Sequence, residues 1–175
     1  MIANRYDPLE VVPAGAAVKA RDLQTAQTVM LRPITRVDER VCGLFHPALV
    51  AIFDVVRDGK AAYAACEFVQ GRSLRLIMGG QVFNVRRATE IVGEVADAVA
   101  ELHARGIFHG AITLDTVLLT AKGKAKLDLV QAAESDEAVD VEQLRALFAA
   151  LVGQRHPELD TAGSAAVLAA RLRSL

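Results

Sequence analysis

The sequence predicts an α+β fold, with an antiparallel β-sheet first and helices after it. Two observations carry this expectation. Before Gly71 the apolar residues fall in short β-branched runs with turn residues between them. After Gly71 they recur at spacings of three and four, the period of a helix. Gly71 therefore divides residues 1–70 from residues 71–175 within one domain spanning 1–175.

Composition narrows the function classes. The 175 residues are 53% hydrophobic and 23% charged, with a net charge of −1. That balance offers nothing to attract nucleic acid or an acidic membrane surface. No run approaches the ~18 uncharged apolar residues of a membrane span, so membrane insertion is not expected. Arg5 and Asp7 interrupt the start of the chain, and no signal peptide is expected there. Cys42 and Cys66 have no metal-binding spacing with any histidine; Cys66 sits in an apolar run and reads as a buried thiol. A reducing cytoplasm is the expected location.

Tyr6 to Val12, Ala16 to Arg21 and Gln27 to Ile34 read as three strands. Pro33 to Phe45 leaves room for at most two helical turns, over Arg36 to Leu44. Val50 to Val56 and Ala61 to Val69 read as a hairpin turning at Arg57-Asp58-Gly59-Lys60. Ser73 can cap a short helix to Met78, which Gly79-Gly80 ends. Asn84 to Arg105 is the strongest helix. Asn84 caps it, Gly106 stops it, and Val92, Val95, Val99 and Leu102 form its apolar stripe. His103 on this helix reads as structural or exposed rather than as a ligand. Val117 to Leu119 and Lys124 to Leu129 read as a second hairpin. Asp140 and Gln143 have capping-box spacing ahead of a helix whose apolar face is Val141, Leu144, Leu147, Phe148 and Leu151. Ser164 to Leu172 closes the chain as a last helix.

Several phrases then carry a resemblance. Lys19-Ala20-Arg21-Asp22 with Thr25 and Val29, His46-Pro47 with Val50, and Glu67-Phe68-Val69 with Gly71, Ser73 and Leu74 come in order. Leu102-His103 with Gly106-Ile107 and His109, then Val117-Leu118-Leu119 ahead of Ala125-Lys126-Leu127, complete the series. The series resembles the Hanks-type serine/threonine protein kinases, with bacterial phrasing. The resemblance implies a protein-kinase-like bilobal fold: an antiparallel N-lobe over 1–70 and a truncated helical C-lobe over 71–175. His109 stands at the histidine of the family's catalytic loop, but Gly110 and Ala111 replace its arginine and its aspartate base. Thr113 replaces the lysine, Thr116 the metal-binding asparagine, and Leu129 the second metal-binding aspartate, with Asp128 one residue early. Asp128 is expected to face away, since a one-residue shift in a strand reverses the side chain, unless a bulge returns it. Arg32 takes the place of the third strand's lysine, either as a solvated or locally paired residue; arginine there is no conservative exchange. The phosphate-cradling loop is reduced to Pro13 through Ala17 with the single Gly15.

These departures imply a pseudokinase: no enzyme, no cofactor, no metal, and a vestigial cleft lined by Gly15, Met30, Glu67, Val69 and Leu118. Asp140, with His109, is expected to survive as a structural anchor of the loop. The function expected is a protein-binding scaffold or allosteric regulator in a kinase-linked signalling pathway. The partner would be a signalling kinase, its substrate or a regulator, or a second copy. A magnesium-independent nucleotide switch and an atypical active kinase using Asp115 or Asp128 are the alternatives. The segments that would cover the sheet are short, while Leu31, Leu49, Ile52 and Val55 are apolar. Either the protein collapses over them or a partner docks there, and docking is the expectation.

Overall fold

The structure, a computed structural model, describes residues 1–10, 16–35, 38–129 and 134–175. They fall into two compact units, one of Met1–Phe45 with Val50–Val69, the other of His46–Leu49 with Gln70–Leu175.

The first unit is a five-stranded antiparallel sheet of β1 (Tyr6–Pro8), β2 (Val18–Asp22), β3 (Thr28–Ile34), β4 (Ile52–Asp58) and β5 (Ala61–Glu67). Its spatial order is β1-β2-β3-β5-β4, so β1 and β4 are the edges. Alternation decides which side chains are inside: Val18 and Ala20 of β2 and Val29 and Leu31 of β3 pack with Tyr6 and Ala65. Arg5 fastens one edge toward the other. Its Nε and Nη2 donate to Asp22 at 2.9 and 2.7 Å, and Nη1 donates to Asp54 at 2.9 Å. The guanidinium holds the Asp22 carboxyl well below the usual carboxylate range. The expected first strand, to Val12, ends at Pro8, and residues 11–15 lie outside the described part.

The stretch expected to hold at most two helical turns, over Arg36 to Leu44, holds one 3-10 turn, Glu39–Val41, capped by Asp38; Arg36 and Val37 lie outside the described residues. That turn still buries Val41 and Leu44. Its exit runs beside β4, where the Gly43 N–H donates to the Ile52 carbonyl at 2.9 Å. The expected docking surface is corrected with it. Leu31, Leu49 and Ile52 are at most 1% exposed, and Val55 is half-buried. Leu31 faces the sheet's own core, and Leu49 bridges to Leu127 inside the second unit. The exposed apolar side chain of β4 is Phe53, at a register shift between Ile52 and Asp54. A bulge of this kind re-aims a side chain.

The second unit contains β6 (Gly71–Ser73), α1 (Leu74–Met78), α2 (Val85–Ala104), β7 (Val117–Thr120), β8 (Ala125–Leu127), α3 (Glu137–Val152) and α4 (Ala165–Leu172). β6, β7 and β8 form an antiparallel sheet in that order. β6 was not expected, being three residues long with no alternation to betray it. Its Gly71 runs so close to β7 that an added Cβ would lie 2.7 Å from the Leu119 carbonyl oxygen. The expected caps are present: Ser73 on α1, Asn84 on α2 and Ser164 on α4 each accept an N–H of the first turn. α2 is the centre of the unit. Its stripe of Ile91, Val92, Val95, Val99 and Leu102 is fully buried, and it packs on α3, α4 and β8. No helix among the described residues is long and apolar enough to cross a membrane.

Candidate functional site

The segment from Ile107 to Thr116 joins α2 to β7, and what holds it comes chiefly from α3. That helix begins at Glu137, with Asp136 as its cap. The capping role considered for Asp140 is therefore filled four residues earlier. Asp140 lies one turn inside the helix, fully buried. Its carboxylate accepts the His109 N–H at 2.8 Å, the Gly110 N–H at 2.6 Å and His103 Nε2 at 2.8 Å. One turn on, Gln143 Oε1 accepts the Ile112 N–H at 2.8 Å, and its Nε2 donates to the Gly110 carbonyl at 2.9 Å. Two adjacent turns of α3 thus bind the main chain of residues 109–112. Gly110 has φ of 73°, in the left-handed region, where a side chain would be strained.

His109 is 1% exposed and fastens the loop to the end of β8. Its Nε2 lies 2.6 Å from the Asp128 carbonyl oxygen, and its Nδ1 lies 3.1 Å from the Ala111 nitrogen. A carbonyl only accepts and an amide N–H only donates, so the proton sits on Nε2 and Nδ1 accepts. Burial pushes this imidazole down to about 4, against a partial upward pull from Asp140. His109 is therefore neutral and single in its tautomer.

The positions where the kinases carry chemistry are occupied differently here. Ala111 offers only its main chain. The Thr116 hydroxyl donates to the Ala111 carbonyl at 2.6 Å and accepts the Thr113 N–H at 2.9 Å, so it closes the loop on itself. Thr113 Oγ1 accepts the Asp115 N–H at 3.2 Å. Leu129 is buried and has no side-chain oxygen. These residues do not fit a divalent cation at those two positions, and among the described residues no group of three or more His, Cys, Asp or Glu is arranged to hold a metal ion. Two carboxylates stand nearby in sequence. Asp115 is exposed and paired with Arg75 Nε at 2.7 Å. Asp128 is 8% exposed, and its N–H donates to the Thr116 carbonyl at 2.8 Å.

The remaining expected residues are placed as follows. In the first unit, Arg32 is half-buried on β3, where burial lowers its guanidinium from the ordinary value. Met30 is half-buried opposite Cys66, Glu67 accepts the Ala51 N–H at 3.3 Å, and Val69 is half-buried. In the second unit, Leu118 is half-buried on β7. Gly15, with the rest of 11–15, lies outside the described residues, as do Val130, Gln131 and the first residues of the segment expected from 132 to 139. Sequence reasoning did not foresee His103 and Gln143 as partners of the loop. The signal available was the three-residue spacing of Asp140 and Gln143, which puts both on one helix face.

No protein-family model matches the chain. It is 31% identical over 114 residues to serine/threonine-protein kinase PkaB of Streptomyces coelicolor, covering 63% of this chain and 27% of that protein. It is 31% identical over 161 residues to CBL-interacting protein kinase 22 of Oryza sativa subsp. japonica, covering 73% of this chain and 36% of that protein. The chain thus spans about a third or less of the length of these relatives. The structure superposes on the PknI kinase domain of Mycobacterium tuberculosis, a C20A_R136A double mutant, with a TM-score of 0.80 and 18% identity, covering 97% of this chain and 94% of that one. The expectation that the chain is no enzyme is corrected by these findings. The relatives are named serine/threonine protein kinases and the matched fold is a kinase domain, which points toward an enzyme.

Proposed function

The chain has the Hanks-type protein kinase fold, and from that premise we propose that it serves kinase-linked signalling as a module that docks another protein. The observation that supports this reading is an aromatic pair beside the shortened segment between β3 and β4. Phe45 is 70% exposed and Phe53 37% exposed, with ring centroids 6.4 Å apart. Two large aromatic rings held together in water are characteristic of a surface used for contact. The partner class is a signalling kinase, its substrate or a regulator, or a second copy of the chain. Light scattering and partner retrieval test it with Phe45→Glu. Loss of association with an unchanged melting temperature supports docking; the same mass and the same partners despite the charge overturn it.

A second reading, phosphoryl transfer by an atypical residue set, is favoured by the names of the relatives and by Asp128. That residue is buried, and its main chain is bound on one side by Thr116 and on the other by His109. Incubation with labelled ATP tests it. Transfer that disappears in Asp128→Asn supports it, and no transfer above a heat-inactivated control removes it.

A further inference from the structure

His103 lies in the last turn of α2, and its side chain is 8% exposed. Its Nε2 faces Asp140 Oδ2 at 2.8 Å. Because Asp140 also accepts two main-chain N–H groups, it is the acceptor in this contact, and Nε2 carries the proton. The other ring nitrogen, Nδ1, is buried and has no hydrogen-bond partner. Glu137 Oε1 stands 3.8 Å from it, within ion-pair reach but too far for a hydrogen bond. A buried polar nitrogen without a partner is uncommon and calls for a reason.

We propose that His103 is a proton-operated clasp between the end of α2 and the first turn of α3. With Nδ1 protonated, the imidazolium holds Glu137 and Asp140 together; with Nδ1 bare, it holds Asp140 alone. The clasp joins groups that suit the two helix ends. A cation at the C-terminal end of α2 and carboxylates in the first turn of α3 each lie at the favourable end of a helix dipole. The Glu137 side chain is half exposed and can turn toward a new donor. Three ion pairs on the packed elements are formed elsewhere. On α2, Arg105 pairs with Glu101; from α4, Arg173 pairs with Asp97; ahead of β8, Lys124 pairs with Glu94. His109 is turned to the Asp128 carbonyl, and the Phe108 ring, 5.3 Å from His103, is an uncharged wall. Asp140 holds residues 109 and 110, so the clasp reaches the loop: closing it steadies the carboxylate that carries the loop's main chain. The clasp closes when Nδ1 gains a proton and opens when Nδ1 loses it. The proposal depends on neither docking nor phosphoryl transfer.

The test compares wild type with Glu137→Gln at each pH between about 5.5 and 8, so that other titrating groups cancel in the difference. The expected result is a wild-type melting temperature higher by on the order of 2 °C at the acid end, with the gap closing toward the alkaline end. Protection of the His109 and Gly110 amides, relative to their intrinsic exchange, rises toward the acid end in wild type, and Glu137→Gln removes that rise. His103→Gln keeps an N–H for Asp140 without a proton to gain, and its profile matches that of Glu137→Gln. A gap that is flat with pH, or amide exchange indifferent to Glu137, overturns the proposal. Should His103→Gln fail to fold, Glu137→Gln alone decides.

Discussion

His109 donates from Nε2 to the main-chain carbonyl of Asp128 across 2.6 Å, so the residue that opens the loop is fixed to the residue that ends the β7–β8 hairpin. The Ala111 N–H that Nδ1 accepts requires a neutral imidazole, and the ring is held in that state by burial. This gives a pH dependence of definite sign. The folded value, about 4, lies below the unfolded value of 6.5, so the unfolded chain binds more protons between them. Stability from this group is complete above about pH 6.5 and is lost as the pH falls toward 4, by roughly 3 kcal/mol in all. Urea unfolding at a series of pH values measures it. His109→Gln is expected to flatten that acid limb.

Asp140→Ala is expected to be the most damaging single change in the loop's support. It removes the acceptor of two buried main-chain N–H groups and of His103. The cost is about 3 kcal/mol or more, a fall in melting temperature of about 6–12 °C. Equilibrium unfolding checks the loss, and amide exchange at residues 109–112 shows whether it begins in the loop.

Asn84→Ala is expected to cost about 1 kcal/mol. Asn84 Oδ1 accepts the Arg87 N–H at 2.8 Å and closes the first turn of α2. Asn84→Ser is expected to recover most of that stability, as judged by chemical denaturation, because serine can accept the same bond.

Cys66 is expected to be inert toward thiol reagents in the folded protein. It is fully buried, and burial pushes its thiol up to about 11. Cys42 is half-buried and also raised by burial, so any reaction near pH 7.5 is slow and begins there. Counting modified thiols before and after denaturant distinguishes the two.

The legible parts of this fold were those in which local chemistry and global packing ask for the same residue. Asn84 both caps α2 and opens its apolar stripe, and Gly79 ends α1 with φ of 54°. The illegible parts were those in which one residue type has two uses. Asp136 and Asp140 are one turn apart and either could open a helix; only burial of Asp140 against the loop distinguishes them. On β4 the register shift at Phe53 exchanges which apolar residue faces out, and no composition rule predicts where a bulge falls. The loop's own hydrogen bonds depend on main-chain atoms, which every residue carries, so Gln143 left little trace of its role.

The approach of β6 to β7 also sets a limit on sequence drift. At Gly71 any Cβ meets main-chain atoms of Leu119, which cannot rotate away as a side chain could. At Gly59, by contrast, nothing stands within 4 Å of an added Cβ, and the only obstacle is its φ of 60°. A saturation library sorted for folded protein should therefore recover asparagine and aspartate at position 59, since both tolerate left-handed backbone. Position 71 should return glycine alone, making it a fixed letter through which a lineage of this chain must pass.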